Sequence, residues 1–300
     1  MKKISSLKQH VKFLLLSLHL VFLTGCHFAM TNKETTLSQT VDLSQSPIAI
    51  TILETGKSDC IILEIEDKTV MIDTGLDGNG QKIVDFLNNE DIDTIDYLII
   101  SHLDKDHIGG SDIIMDQMTI NEVIQPNYSR DTKQYKEYKQ ALDDHHVTVH
   151  YLTDDLTFEI NEVNFKIHAP LQENYEQSND YSLITSVSYK NHSFLFAGDA
   201  EAIRLSEFLT THPQHYTLLK LPHHGRYSDQ LDTLLEVTSP TYGVITCSKE
   251  EYADTKVLQL LARNQVDTFM TSDGPITIKS DGTNISIHQQ LNTIISFKQK

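Results

Sequence analysis

The feature that most limits how this chain can fold is the run Ser101-His102-Leu103-Asp104-Lys105-Asp106-His107-Ile108-Gly109-Gly110, set directly behind the apolar stretch Tyr97–Ile100. That stretch reads as a strand, because it is short, apolar and followed by polar turn residues. Residues two apart in an extended chain point the same way, so His102, Asp104 and Asp106 are expected to converge on one side, with His107 joining as the chain turns. Imidazole and carboxylate together suit Zn²⁺ or Mn²⁺, the oxygen-rich positions favouring the harder ion. Gly109 and Gly110 are expected to let the backbone bend close to the ions and enter a helix without a Cβ clash. The alternative is a solvated loop with two helix-capping aspartates.

From Ile48 onward short β-type runs alternate with helical patterns, and no internal repeat is evident. Strands are expected at Ile48–Leu53, Cys60–Ile65, Val70–Ile72, Tyr97–Ile100, Val123–Gln125, Val147–Tyr151 and Val163–His168. Further strands fall at Leu183–Tyr189, Phe194–Phe196, Thr217–Lys220, Gly243–Thr246, Thr268–Met270, Ile276–Lys279 and Ile285–Ile287. Helical periodicity covers Gly80–Asn88, Gly110–Asp116, Thr132–Asp143, Glu201–Thr210, Ser228–Leu235 and Thr255–Asn264. Early hairpins followed by mixed elements suit two sheets packed face to face with helices outside, in a single α/β domain over 48–300. A chain of 300 residues with 39% hydrophobic content can bury such a core.

Residues 1–25 look different. Lys2, Lys3, Lys8 and Lys12 precede an apolar stretch from Val11 through Leu23 that is short for a spanning helix, the layout of a signal peptide. Leu23-Thr24-Gly25-Cys26 resembles a bacterial lipobox, which implies cleavage before Cys26, lipidation of its thiol and an extracytoplasmic location on the membrane; an uncleaved apolar anchor is the alternative. Polar, Thr- and Ser-rich residues fill 26–47 as a tether. The other cysteines, Cys60 and Cys247, are too few for a disulfide framework. The formal net charge is −18, and about −22 without the four leader lysines, a poor match for affinity built on neutralising many phosphates.

The motif and its companions resemble the metallo-β-lactamase superfamily, and more closely the branch found as the extracellular domain of ComEC-type competence DNA-uptake proteins. The usual superfamily pattern is H-x-H-x-D-H; Asp104 stands where most members have the second His, and H-x-D-x-D-H is typical of the ComEC-like branch. The likeness continues in order through Gly56-Lys57-Ser58-Asp59-Cys60 and Val70-Met71-Ile72-Asp73-Thr74-Gly75. It goes on through Asn179-Asp180-Tyr181-Ser182, Phe196-Ala197-Gly198-Asp199-Ala200 and Leu221-Pro222-His223-His224-Gly225. It spans about 230 residues, Ile48 to roughly Gly282, and implies a four-layer αββα sandwich with two divalent metal ions. Tyr252-Ala253-Asp254 stands where the family tends to have a Gly-His-Pro-like element, so one customary His is absent.

Asp199 follows the buried-looking run Phe194–Gly198, where a bare carboxylate is costly unless paired or metal-bound. The resemblance makes it the bridge between the metals; the alternative is the N-cap of the helix from Glu201. At least one of His223 and His224 should be a ligand. Alignment with the His that precedes Gly in related enzymes favours His224, leaving His223 to contact substrate or protonate a leaving group. Asp73 is expected to orient a ligating His. Metal one would then take His102, Asp104 and a further ligand, and metal two Asp106, His107 and His224, with Asp199 shared. For the further ligand Asp180 is a candidate, with Asn179 and Ser182 contacting substrate; filling of this position only with substrate present, or an ordinary Asx turn, are the alternatives. His145-His146 reads as a solvated helix end.

Two such ions, roughly 3.5–4 Å apart, share a water, lower its pKa and hold phosphorus or carbonyl in line with it. Asp73, Asp106 and His223 are therefore the expected catalytic residues of a metallohydrolase. A phosphodiesterase with nuclease-like chemistry leads. Hydrolysis of another ester, of phosphocholine or nucleotide type, follows, with Lys220, Arg226 and Lys249 as a small positive mouth. A non-catalytic surface module is the third possibility. The implied partners are the membrane, through lipid on Cys26, and a phosphoester; acidity disfavours nucleic acid, and no obligate protein partner is evident.

Overall fold

The structure is a computed structural model and describes residues 46–291. The signal-peptide segment, Cys26, the tether up to residue 45 and residues 292–300 lie outside the described residues. The first sheet opens as an antiparallel meander of β1 (Ile48–Ile52), β2 (Ile61–Ile65) and β3 (Lys68–Ile72). To it β4 (Thr94–Ile99), β5 (Thr119–Pro126) and β6 (Thr148–Leu152) add in parallel. Parallel neighbours need crossovers. These contain helices α1 (Gly80–Asn89), α2 (Lys105–Ile108), α3 (Ser111–Gln117) and α4 (Lys133–Asp144).

The second sheet repeats this plan. Strands β7 (Leu156–Ile160), β8 (Val163–His168), β9 (Ile184–Tyr189) and β10 (His192–Phe196) form an antiparallel meander. Then β11 (Leu218–Lys220), β12 (Tyr242–Ile245) and β13 (Asp267–Met270) join in parallel. Their crossovers contain α5 (Ala202–Thr211), α6 (Leu231–Thr238) and α7 (Thr255–Arg263). Finally β14 (Ile276–Ser280) and β15 (Ile285–Gln289) return to pair beside β1. The orders are β15-β14-β1-β2-β3-β4-β5-β6 and β13-β12-β11-β10-β9-β8-β7.

Side chains alternate across each strand, so one sheet face meets the other sheet and the opposite face meets helices. Ile50, Leu63 and Ile72 pack against Phe165, Val187 and Phe196 between the sheets. On the outer face of the first sheet Ile62, Met71 and Leu98 receive Ile83 and Leu87 of α1, Ile114 of α3 and Tyr138 of α4. Outside the second sheet Leu195, Leu219 and Ile245 receive Phe208 of α5, Leu234 of α6 and Leu261 of α7. Both sheets are thus covered on both faces, which is why strands such as Ile61–Ile65 read as nearly continuous apolar runs. The result is the expected αββα sandwich in one domain.

Each expected strand and helix is present, with shifted ends. One strand and one α-helical turn were not expected. Strand β7 alternates Leu156, Phe158 and Ile160 with Thr157 and Glu159, an edge-strand pattern overlooked between charged flanks. The motif itself is extended only as far as Asp104; Lys105–Ile108 then closes one helical turn, with His107 and Ile108 N–H groups donating to Asp104 O. Among the described residues no helix is long and apolar enough to cross a membrane.

Candidate metal centre

The site forms where parallel strands of both sheets end. Asp73 follows β3, residues 101–107 follow β4, Asp199 follows β10 and the His223-His224 pair follows β11. Carboxyl ends of parallel strands are where α/β sheets open and polar loops can gather without breaking the core. Gly109 and Gly110 have a tighter role than expected: a Cβ on Gly109 would strike Asp77 N and Lys105 O, and one on Gly110 would lie 2.5 Å from Thr74 O. The two glycines therefore let the motif press against the Thr74–Asp77 loop.

Three imidazoles share one arrangement. His107 Nδ1 donates to Asp73 Oδ2 at 2.7 Å. His224 Nδ1 donates to the Thr246 carbonyl at 3.0 Å. Ser101 Oγ gives its one proton to Asp73 Oδ2, so it accepts from His102 Nδ1 at 3.2 Å. With each Nδ1 committed as a donor, the neutral form of each ring presents its Nε2 lone pair. All three Nε2 atoms are buried without a hydrogen-bond partner, as is Asp199 Oδ1. His107 Nε2 lies 3.4 Å from Asp199 Oδ1, and His224 Nε2 lies 3.2 Å from Asp199 Oδ2 and 3.5 Å from Asp106 Oδ2. Donors about 2.1 Å from a tetrahedral ion stand roughly 3.4 Å apart, so this spacing fits a shared cation.

The electrostatics agree. Burial depresses His107, but Asp199 and Asp73 outweigh it and hold the ring well above its usual range. Burial likewise lowers His224, and Asp199 and Asp106 reverse that. Burial would raise Asp199, yet His224 and His107 keep it well below the usual carboxylate range. Asp106 is lowered as well, burial being overcome by His224 and His107. His102 differs, because burial followed by His107 takes it down to about 4. The cluster calls for positive charge among its carboxylates while one imidazole resists protonation, a demand that a metal ion meets.

Asp106, His107, Asp199 and His224 bring ligand atoms within 4.8 Å of one another. His102 sits beside them, its Nε2 3.9 Å from Asp104 Oδ2. Asp104 is otherwise engaged: Arg130 lies 3.0 Å from Oδ1, and Ser178 donates to Oδ2 at 2.8 Å. Asp73 stays behind His107 and also accepts from Ser101 N at 2.7 Å. His223 and His224 both have positive φ, 48° and 53°, and this left-handed turn sends the neighbouring side chains apart. His224 faces inward; His223 stands at the rim, 3.1 Å from Glu201 and 4.0 Å from Asp199 Oδ2.

Three expectations change. Asp180 is not among the residues whose ligand atoms converge: it is buried and accepts from Arg204 N at 3.2 Å, satisfying a free amide at the start of α5. Ser182 is fully buried and accepts from Asp199 N at 3.2 Å, so it props the carboxylate's backbone instead of meeting a substrate. Lys220 is not at the mouth but completely enclosed, ion-paired with Asp59 and donating to Gly198 O at 3.2 Å. Asn179 remains at the rim, donating to Glu201 at 2.9 Å, and Arg226 and Lys249 are exposed.

Several residues on which the centre depends are not marked as site residues by the sequence alone. Asp59 is one: it takes Thr246 Oγ1 at 2.6 Å beneath His224, and Lys220 followed by His224 lowers its carboxyl against burial. A charge inside the apolar run Leu218–Leu221 was the signal, since a buried cation needs a partner. Ser101, Arg130, Ser178 and Glu201 carried no such signal, because each lies in a loop or cap of ordinary polarity.

A four-layer αββα sandwich with imidazoles and carboxylates gathered at its strand ends defines the class, and the family description that matches residues 53–248 is the metallo-beta-lactamase superfamily. The chain belongs to that superfamily. It is similar to ComE operon protein 3 of Bacillus subtilis (strain 168), with 24% identity over 197 residues, 64% of this chain and 25% of that protein. It is likewise similar to Recombination protein 2 of Haemophilus influenzae, with 25% identity over 212 residues, 69% of this chain and 25% of that protein. The chain spans about a quarter of the length of both. Among solved structures, the metallo-beta-lactamase fold protein YhfI from Bacillus subtilis shares the fold, with a TM-score of 0.54 at 10% identity over 77% of this chain and 100% of that one.

Proposed function

We propose that this chain is a metal-dependent hydrolase of phosphoric esters, a phosphodiesterase with nuclease-like chemistry, held outside the cytoplasm by a lipid on Cys26. The observation that carries the metal reading is the trio of buried, unpartnered Nε2 atoms, those of His107 and His224 beside Asp199 and Asp106 and that of His102 beside Asp104. A binding module without metal gains nothing from enclosing so many unpaired polar atoms. The donors suit two divalent ions of the Zn²⁺ or Mn²⁺ kind. Asp106, His107, Asp199 and His224 would hold one ion, and His102 and Asp104, with Asp199 shared, the other. The second of these positions is the weaker, since Asp104 is also claimed by Arg130 and Ser178.

When bound, such ions supply a water of lowered pKa and polarise the scissile group. The chain's own residues supply orientation. Arg130, Asn179 and His223 offer N–H donors around the opening, which suits the oxygens of an anionic phosphoryl group. His223, 3.1 Å from Glu201, would give a proton to the departing alkoxide. The net charge of −18 favours a small diester, of nucleotide or phosphocholine type, over long nucleic acid. The external location is supported by the lipobox-like Leu23-Thr24-Gly25-Cys26 alone.

The test is a screen of the full chain, loaded with Zn²⁺ or Mn²⁺, against bis(p-nitrophenyl) phosphate, single-stranded DNA and phosphocholine esters. Turnover is expected on the small diester, with a loss of at least about 100-fold in Asp106→Ala. Unchanged turnover in that variant would falsify the assignment. Cys26→Ala is expected to move the protein from the membrane fraction to the soluble fraction.

A further inference from the structure

A separate group of donors lies away from this centre. Asp155 precedes β7, His168 ends β8 and His212 follows α5. Asp155 Oδ2 is 3.3 Å from His168 Nδ1 and 3.1 Å from His212 Nε2, and the three ligand atoms lie within 4.8 Å of one another. These separations approach the roughly 3.4 Å edge of a tetrahedron with bonds of about 2.1 Å.

The hydrogen bonds around His212 determine which nitrogen is bare. Thr211 Oγ1 lies 2.9 Å from Glu207 O and 2.6 Å from His212 Nδ1, so by donating to that carbonyl it can accept from His212 Nδ1. In that tautomer a neutral His212 turns its Nε2 lone pair on the Asp155 carboxylate oxygen 3.1 Å away, two acceptors face to face. Only a proton or a cation between them relieves this. His168 is fixed in the manner of a ligating imidazole, its far nitrogen held by Ser186 Oγ at 2.9 Å, and Ser186 in turn by Tyr216 at 2.7 Å. Asp155 Oδ1 is held by Ala169 N at 3.1 Å, leaving Oδ2 for an ion.

We propose that Asp155, His168 and His212 form a mononuclear site for a transition-metal ion of the Zn²⁺ class, with its fourth position open to the cleft of about 690 Å³ lined by both imidazoles. Lys166 Nζ, 3.4 Å from Asp155 Oδ2, is the group the ion displaces, and its side chain is 40% exposed and free to swing into solvent. The ion would tie the β7–β8 hairpin to the end of α5. That helix also carries the buried Arg204, which donates to His168 O at 2.7 Å and to Ser182 O at 2.8 Å.

The test uses the full chain, stripped with chelator and titrated with Zn²⁺, read by bound equivalents and by Tm. His212→Asn and Asp155→Asn are each expected to bind one equivalent fewer than the unaltered chain and to lose part of the Zn²⁺-dependent rise in Tm. Lys166→Gln is expected to tighten the same site several-fold. In a background with Asp199→Asn and His224→Ala, one equivalent should remain and vanish when His212→Asn is added, which separates this site from the hydrolase reading. Unchanged stoichiometry and affinity in both His212→Asn and Asp155→Asn overturns the proposal.

Discussion

His107 Nδ1 lies 2.7 Å from Asp73 Oδ2, with both groups completely enclosed. This contact decides which imidazole nitrogen faces the carboxylates. Asp73→Asn retains a residue that tolerates the φ of 61° found there but can place an amide N–H against His107, moving the ring proton to Nε2. Metal affinity is expected to fall about 10–100-fold with the fold retained. Competitive titration against a chelator, with circular dichroism alongside, checks this; unchanged affinity would mean that Asp73 does not set the tautomer.

Lys220 and Asp59 form a fully buried ion pair beneath His224. Lys220→Met leaves Asp59 uncompensated, and the expected cost is about 3–5 kcal/mol. Adding Asp59→Asn removes the stranded charge and should recover much of that loss. Urea unfolding of the two variants decides the matter, and equal stabilities would show that the single change strands no charge.

Burial, with His212 second, holds His168 down at about 4 against an ordinary value of 6.5. The unfolded chain therefore takes up this proton before the folded one, so stability falls as pH drops from 6.5 toward 4 and levels off below. The full effect is about 3 kcal/mol. In chelator, the stability of the unaltered chain should decline across this window more steeply than that of His168→Gln. Parallel profiles would contradict the assignment.

Gly225 has a φ of 75°, and a Cβ there would lie 2.9 Å from both Ala253 Cβ and Ile245 Cγ2. Gly225→Ala is expected to cost about 1–3 kcal/mol and to weaken metal binding, since the turn that aims His224 must shift. Thermal unfolding and metal titration report the two effects separately. Loss of stability with metal affinity intact would disconnect the turn from the centre.

Much of the architecture was legible along the chain. Apolar runs such as Ile61–Ile65 and Val163–His168 announce strands because burial on two faces requires apolar residues in succession. The motif at 101–110 announced a cluster because its polar residues follow a buried strand. Strand β7 was missed although its alternation is regular, since five residues between charged flanks give a weak signal. Asp180 and Ser182 looked like site residues because they lie in a polar turn of the right order. Their side chains instead meet Arg204 N and Asp199 N, contacts that depend on how α5 docks.

Residue order by itself determined the alternation of strands and helices, the αββα class and the strand-end loops that carry the polar groups, because these follow from local periodicity and from the expense of burying charge. Tertiary structure alone decided which nitrogen each imidazole leaves bare, which of His223 and His224 faces inward, and that Lys220 lies beneath the centre. Those outcomes depend on hydrogen bonds between segments as distant as Asp59 and Thr246. No local pattern encodes such a contact; it exists only once both sheets have closed over the core.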